Sequence, residues 1–265
     1  MAFLASDYPV ITLTTDFGER DNYVGIVKGI IKRINRRAEL IDINHNIPPF
    51  NIPAANYQLE TSYRSFPEGT IHYAVVDPGV GTERKAIAVH SGDYFFVGPD
   101  NGIFSFLNRR NIKRAVVLNN RKYFSAAISM TFHGRDIFAP AAGLLSQGVA
   151  LEELGEPLED ITSVKMASRR RTKGGFTGSV IYIDHFENLV TSIRNQDLGT
   201  RKGIVTFKGE KIGFLKRTFG EAAIGQVTAY INSFGYLEIG VNRGSARDHF
   251  KAVYGDKIQI LFASA

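Results

Sequence analysis

Cysteine is absent from the 265 residues, which excludes disulfides, thiolate nucleophiles and cysteine-ligated metals. No apolar run approaches membrane-spanning length, and the start, Met1-Ala2-Phe3-Leu4-Ala5-Ser6-Asp7, lacks the charged beginning and long apolar core of a signal peptide. The expectation is a soluble, cytoplasmic protein with no membrane partner. Several chemistry-bearing loops are also missing. There is no Gly-x-x-x-x-Gly-Lys-Ser/Thr phosphate cradle, Gly79-x-Gly81 lacks the third glycine of a dinucleotide fingerprint, and no Gly-x-Ser-x-Gly elbow occurs. The six histidines show no clustered ligand spacing, so neither a metal nor a cofactor is expected. Each lone histidine reads as structural except His133, which stands beside Gly134 at a loop-to-helix junction rather than within an apolar face.

Hydrophobic residues make up 44% of the chain, enough for a substantial core, and the net charge is +6. The basic residues are spread along the sequence, apart from Arg169-Arg170-Arg171 with Lys173 beside Gly174-Gly175. That cluster reads as a solvated interdomain linker. A nucleic-acid patch is the alternative, but no stacking-aromatic signature accompanies it, and nucleic acid is not the expected partner.

Strand and helix patterns alternate over the first part of the chain. Val10 to Thr15 is a β-branched strand ending at Asp16-Phe17-Gly18. From Asn22 the apolar residues Tyr23, Val24, Ile26, Val27, Ile30, Ile31 and Ile34 recur at helical spacing. A strand from Glu39 to Asn44 leads through His45 and Pro48-Pro49-Phe50 to Asn51, a helix cap with Pro53 in the first turn of a helix running to about Phe66. Strands follow at Thr70 to Val76, Lys85 to His90, Tyr94 to Val97 and Lys113 to Leu118, then a helix from Ile137 to Leu145. After the basic cluster the pattern changes to short strands near Phe176 to Ile183, Leu189 to Ile193, Ile204 to Phe207, Val227 to Ile231, Tyr236 to Ile239 and Ile258 to Phe262. The fold class expected is α/β: an N-terminal sheet domain flanked by helices (1–168), a linker (169–175) and a smaller antiparallel, barrel-like β domain (176–265).

The stretch Val76-Asp77-Pro78-Gly79-Val80-Gly81-Thr82-Glu83-Arg84 carries the most chemical information. It follows a buried strand, and Pro78 with two glycines delivers a carboxylate onto a tight loop at a strand's carboxyl end, where α/β sheets bind ligands. Arg84 lies where a closed loop brings its guanidinium back to Asp77. The spacing alone is equally compatible with a structural turn.

Taken together, Thr14-Thr15-Asp16-Phe17-Gly18, the Val76-to-Arg84 stretch, His133-Gly134-Arg135-Asp136-Ile137-Phe138-Ala139-Pro140 and Asn232-Ser233-Phe234-Gly235-Tyr236-Leu237 resemble the S-adenosylmethionine hydroxide adenosyltransferase family. These are S-adenosylmethionine hydrolases related to fluorinase and chlorinase enzymes. The resemblance runs through the whole chain. It implies a homotrimer with sites between the N-terminal domain of one subunit and the C-terminal domain of its neighbour. It also implies attack of water on the 5′ carbon of S-adenosylmethionine, giving adenosine and methionine, with Asp77, Arg84 and His133 as the catalytic set. By the same resemblance Asp16 grips the ribose hydroxyls and Phe50 lies near the ribose. Asp184 and Ser233 hold the methionine part, and Asn188 and Phe219 bond and stack the adenine. Other roles stay open for some of these: a helix cap for Asp16, a core position for Phe50, a turn for Asp184.

Where the fluorinase pattern has a Tyr, this chain has Asp77, and where it has Tyr-Ser, this chain has His133-Gly134. A carboxylate beside the attack point repels a halide and accepts a hydrogen bond from water, so hydrolysis is expected over halogenation. The spacing from Asp184 to Asn188 is one residue shorter than in fluorinase, and Phe234 replaces an arginine. The competing readings are a halide-dependent adenosyltransferase and a non-catalytic nucleotide- or RNA-binding module. Within the hydrolase reading, Asp77 orients the water, Arg84 fixes Asp77, and His133 receives the proton directly or through Asp77.

Overall fold

The computed structural model describes residues 8–124, 127–164 and 169–262. Residues 1–7, in which no signal peptide is expected, and residues 165–168, at the expected end of the first domain, lie outside the described residues. The chain divides into two compact units, Met1–Val164 and Lys165–Ala265, each with its own apolar core. Among the described residues no helix is long and apolar enough to cross a membrane.

The first unit contains, in chain order, β1 (Val10–Thr15), α1 (Tyr23–Ile34), β2 (Glu39–Asn44), α2 (Ile52–Ser62), β3 (Ile71–Val75), β4 (Ala86–Ser91), β5 (Tyr94–Pro99), β6 (Ile112–Leu118), α3 (Ala139–Ser146) and β7 (Gly155–Pro157). Its seven-stranded sheet runs β2-β1-β3-β5-β4-β6-β7. Pairing is parallel from β2 to β5 and antiparallel beyond. Side chains alternate along each strand, so Ile11 and Leu13 of β1 and Ile71, Tyr73 and Val75 of β3 share one face with Val27 and Ile31 of α1 and Ala139, Ala141 and Ala142 of α3. On the other face Thr12 Oγ1 lies 2.7 Å from His72 Nδ1, and the His72 ring is packed among Tyr63, Phe66, Tyr94 and Phe96. Burial pushes the His72 pKa down to about 3, so this histidine stays neutral and structural.

Local chemistry explains the helix ends. Asn51 Oδ1 accepts from Ala54 N (3.0 Å) and Pro53 lies in the first turn of α2. The helix expected to reach about Phe66 tightens instead into a 3-10 turn, Tyr63–Ser65. The helix expected from Ile137 starts earlier, with a π-turn over Gly134–Phe138 in which Ala139 N donates to Gly134 O. Pro140, which has no N–H to donate, stands at the joint with α3.

The second unit holds β8 (Arg170–Thr172), β9 (Gly175–Ile183), β10 (Leu189–Arg194), α4 (Asn195–Leu198), β11 (Gly203–Phe207), β12 (Glu210–Phe214), β13 (Val227–Ile231), β14 (Tyr236–Val241), α5 (Ala246–Phe250) and β15 (Lys257–Phe262). The order is β12-β11-β15-β9-β10-β14-β13, with β8 beside β9, and every pairing is antiparallel. Lys216 N donates to Ala229 O (2.8 Å), drawing the chain just after β12 to β13 and nearly closing the sheet into a barrel. The core combines Val180, Leu189, Val205, Leu237 and Ile260 from strands across the sheet. The basic segment expected as a linker is part of this unit: Arg170 to Thr172 pair with Thr177 to Gly175, and Arg169 Nη1 meets Asp197 Oδ2 at 3.2 Å.

Candidate active site

The carboxyl ends of β1 and β3 lie side by side. The chain passes from β1 outward to β2 and then returns to β3 on the other side, so the gap between β1 and β3 is a topological switch point, the place where open α/β sheets bind ligands. Asp16 follows β1 directly and Asp77 follows β3 by two residues. Position in the fold alone therefore brings two carboxylates to the mouth of this gap.

The loop from Asp77 to Arg84 closes on itself. Val80 N donates to Asp77 O (3.3 Å) and Thr82 N to Gly79 O (3.1 Å). Asn101 Nδ2 holds Val76 O at 2.8 Å. Gly81 has φ +77°, and a Cβ there would lie 2.3 Å from Met130 O, so only glycine fits where this loop meets the 130 segment. Arg84 Nε donates to both Asp77 oxygens at 2.9 Å, and its Nη2 reaches Asp77 Oδ2 more closely still. The same Nη2 lies 2.8 Å from His133 Nδ1, and the guanidinium sits 5.3 Å above the Phe138 ring. Asp77, Arg84 and His133 are thus brought together, with side-chain exposures of 6% and 10% for the ion pair.

Polarity within this cluster follows from donor inventory. A guanidinium only donates, so His133 Nδ1 accepts, and the neutral ring carries its proton on Nε2. Burial lowers the His133 pKa, the Arg84 charge lowers it further, and Asp77 and Asp136 pull it partly back. The imidazole is therefore neutral near pH 7, with its one lone pair already engaged by Arg84. This changes the proton assignment expected from the sequence. Direct uptake by His133 requires breaking the Arg84 contact, whereas Asp77 Oδ1, which accepts from Arg84 Nε alone, retains a further lone pair.

Behind the cluster, Tyr73 OH donates to Gly134 O (3.2 Å). A Cβ on Gly134 would lie 2.9 Å from that hydroxyl, so the residue after His133 has no room for a side chain. Burial, with the Asp77 charge adding to it, raises the Tyr73 pKa, so the phenol stays protonated.

Asp16 Oδ2 accepts from Phe50 N (2.9 Å). Burial raises the Asp16 pKa, the Phe50 N–H opposes this, and the Asp77 charge raises it further. Phe50 adopts φ +65° and is 68% exposed. It is not a core aromatic, and Asp16 holds its backbone rather than capping α1.

The four site residues expected in the second unit lie around the turns at the ends of β9, β13 and β14. Asp184 Oδ1 accepts from Asn188 N (2.8 Å) and its Oδ2 from Asn188 Nδ2 (3.1 Å), so these two residues bond each other across a turn. Phe219 is 57% exposed and its ring centroid lies 6.2 Å from that of Tyr230. Ser233 is exposed in the turn between β13 and β14. One feature there was not anticipated: buried Glu238 accepts from Tyr230 OH (2.5 Å) and Asn232 Nδ2 (2.8 Å). Burial raises its pKa, those two donors oppose the rise, and Asp184 adds to it. The available signal was a charged residue between Leu237 and Ile239 in an otherwise apolar strand.

Residues 11–155 match the model of the SAM hydroxide adenosyltransferase N-terminal domain, and residues 178–259 match that of the C-terminal domain. An (R)-S-adenosyl-L-methionine hydrolase of Thermus thermophilus is 37% identical over 263 residues, covering 96% of this chain and 99% of the relative. A fluorinase of Actinopolyspora mzabensis is 26% identical, covering 95% and 97%. A crystal structure of an uncharacterized conserved protein from Thermotoga maritima superimposes with a TM-score of 0.88 at 35% identity, covering 95% of this chain and 99% of that one.

Proposed function

The chain belongs to the SAM hydroxide adenosyltransferase family, and on that premise we propose that it hydrolyses S-adenosyl-L-methionine to adenosine and L-methionine. The observation that carries the proposal is the closed Asp77–Arg84–His133 cluster beside Asp16 at the switch point of the sheet. Water oxygen bonds to the ribose 5′ carbon, the carbon–sulfur bond breaks, and methionine sulfur keeps the electron pair. The water proton departs as the new bond forms.

Sulfonium is a good leaving group without protonation, so the protein's task is the nucleophile. A positive sulfur about 4 Å from a nascent hydroxide contributes about 4 kcal/mol at an effective dielectric near 20, and the Arg84 guanidinium a similar amount. Together these lower the pKa of water by several units but leave it above neutrality. A base completes the step. In our reading Asp77 takes that role through Oδ1, which keeps a lone pair after Arg84 is bonded, as His133 Nδ1 does not. His133 keeps Arg84 aligned through Nδ1 and presents Nε2–H to the attacking oxygen. Fixing water in line with the breaking bond adds several kcal/mol more, roughly.

The remaining contacts extend this reading. Asp16, with Oδ2 partly used by Phe50 N, offers its other oxygen to the vicinal ribose hydroxyls. Phe50 covers the ribose, Asn188 and Phe219 bond and stack the adenine, and Asp184 and Ser233 face the methionine part. We further infer a homotrimer, supported by the exposed aromatic side chains Phe50, Phe186, Phe219 and Phe234. We place the protein in the cytoplasm, where the methyl donor is made and consumed. Light scattering returning three times the chain mass fits the trimer, and a monomer refutes it.

The deciding experiment incubates the protein with each sulfonium epimer of S-adenosyl-L-methionine in ¹⁸O-water, with and without chloride. Adenosine labelled at the 5′ oxygen is expected from the (R) epimer named for the Thermus relative. A chlorinated adenosine, or no turnover of either epimer, overturns the proposal.

A further inference from the structure

Thr15, His45 and Asp42 form a chain of polar side chains that the reaction described above does not use. His45 is only 3% exposed, and Thr15 1%. Thr15 Oγ1 lies 2.8 Å from His45 Nδ1, and His45 Nε2 lies 3.0 Å from Asp42 Oδ1. The acceptor-only carboxylate of Asp42 favours the tautomer with its proton on Nε2; Nδ1 then accepts from the Thr15 hydroxyl, whose oxygen also accepts from Phe17 N (3.3 Å). The contact with Asp42 is close but poorly aligned, so it acts as an attraction between the ring proton and the carboxylate rather than a directed hydrogen bond. Asp42 in turn is held by Lys28 Nζ at 2.5 Å.

The same histidine holds the neighbouring backbone. Gly18 N donates to His45 O (2.8 Å), and Ile47 N donates to Thr15 O (3.4 Å). Between Thr15 and Gly18 lies Asp16, and five residues beyond His45 lies Phe50, whose N–H bonds Asp16 Oδ2. The turn after β1 and the loop after β2 are therefore fastened at both ends, by His45 at one and by the Asp16 carboxylate at the other. Phe50 stays in a left-handed conformation, φ +65°, which a bulky residue adopts only where its surroundings impose it.

We propose that His45, backed by Asp42, is the positioning residue for Asp16. It sets the direction of the free carboxylate oxygen and the height of the Phe50 ring, and so governs how tightly the nucleoside hydroxyls are held, without touching the substrate. The inference rests on the reading of Asp16 as the ribose-binding acid. His45 differs from the buried His72, whose ring packs in an aromatic cage and meets Thr12 Oγ1.

The test is a double-mutant cycle on the full-length protein with S-adenosyl-L-methionine as substrate. Asp16→Ala is expected to raise KM strongly. His45→Ala is expected to raise KM about tenfold, the scale of one misaligned hydrogen bond to a charged group, with kcat changed less than about threefold. In the double variant the His45 effect disappears, because there is no carboxylate left to position. His45→Asn, whose amide oxygen can accept from Thr15 where Nδ1 did, restores most of the affinity and guards against a variant that fails to fold. If Asp16→Ala raises KM but His45→Ala does not, or the two effects multiply, the inference about His45 is overturned while the ribose reading stands. If Asp16→Ala leaves KM unchanged, the ribose reading falls and the inference falls with it.

Discussion

The polar corner at Asp77 and the polar corner at Glu238 are built on opposite plans. In the first unit the acid is matched within the chain: Arg84 binds both Asp77 oxygens and His133 accepts from Arg84. In the second unit two acids stand near each other, and among the described residues no ion pair includes Asp184 or Glu238; their partners are neutral amides and a phenol. A matched ion pair fixes geometry before any ligand arrives, which is what positioning a water molecule requires. An acid held by neutral donors retains its negative potential for an incoming positive group, and S-adenosylmethionine carries an ammonium and a sulfonium.

Arg84→Ala is the most severe way to break this contrast. It leaves Asp77 buried without its partner, with an expected stability loss of about 3–5 kcal/mol and a fall in kcat of about a thousandfold. Denaturant titration and single-turnover kinetics measure the two, and kcat within tenfold of wild type would end the matched-pair account. Phe219→Ala should do the reverse. At 57% exposure it contributes little to the fold, while loss of the ring proposed to stack on the base should raise KM by about tenfold or more. A large drop in melting temperature with KM unchanged contradicts it.

Glycine substitutions compare the backbones of the two corners. Gly81 and Gly235 have nearly the same φ, +77° and +80°, but a Cβ on Gly81 meets Met130 O at 2.3 Å and one on Gly235 meets nothing within 4 Å. Gly235→Ala therefore costs only the left-handed conformation, about 1–2 kcal/mol, and Gly81→Ala costs that plus a displaced loop and lost activity. Equal costs in urea melts would show the Gly81 loop to be free to move.

Acid should act on the two corners in opposite senses. Burial first, and then Arg84, lower the His133 pKa, so its contribution to stability is present above the ordinary value of 6.5 and lost as pH falls through the folded value. Burial raises the Glu238 pKa above its ordinary 4.5, so its contribution is present below that value and lost as pH rises through the folded one. Relative to wild type, His133→Gln should gain stability as pH falls below 6.5, and Glu238→Gln should gain it as pH rises above 4.5. Parallel trends in the two variants would sink the comparison.

The sheet strands were legible because alternation and β-branching survive in single strands: β1 and β13 stand where the sequence placed them. The edge strand β12 was not, since Glu210-Lys211-Ile212-Gly213-Phe214 has a glycine and little burial. The hairpin in the basic segment escaped notice because three arginines read as solvated, although pairing along a strand leaves such side chains free to face water. In the candidate site, the meeting of Asp77 with Arg84 was visible from their shared loop. His133 stood out by its place beside Gly134 at a loop-to-helix junction, but its meeting with Arg84 followed only from family resemblance, for no local rule brings residue 133 to residue 84. The direction of its proton was invisible until Arg84 was seen donating to Nδ1. Glu238 and His45 were missed because their importance lies in side chains met from other strands.

The π-turn from Gly134 to Phe138 inserts one extra residue into what would otherwise be a regular helix. Deleting a residue there would regularise the coil, yet it would swing His133 about 100° around the axis relative to α3. The imidazole would then leave Arg84 even though every contact of α3 with the sheet survived. Length in this segment is thus under a constraint of its own, beyond the one that keeps Gly134 without a side chain: a single-codon deletion would put the ring out of phase with its partner.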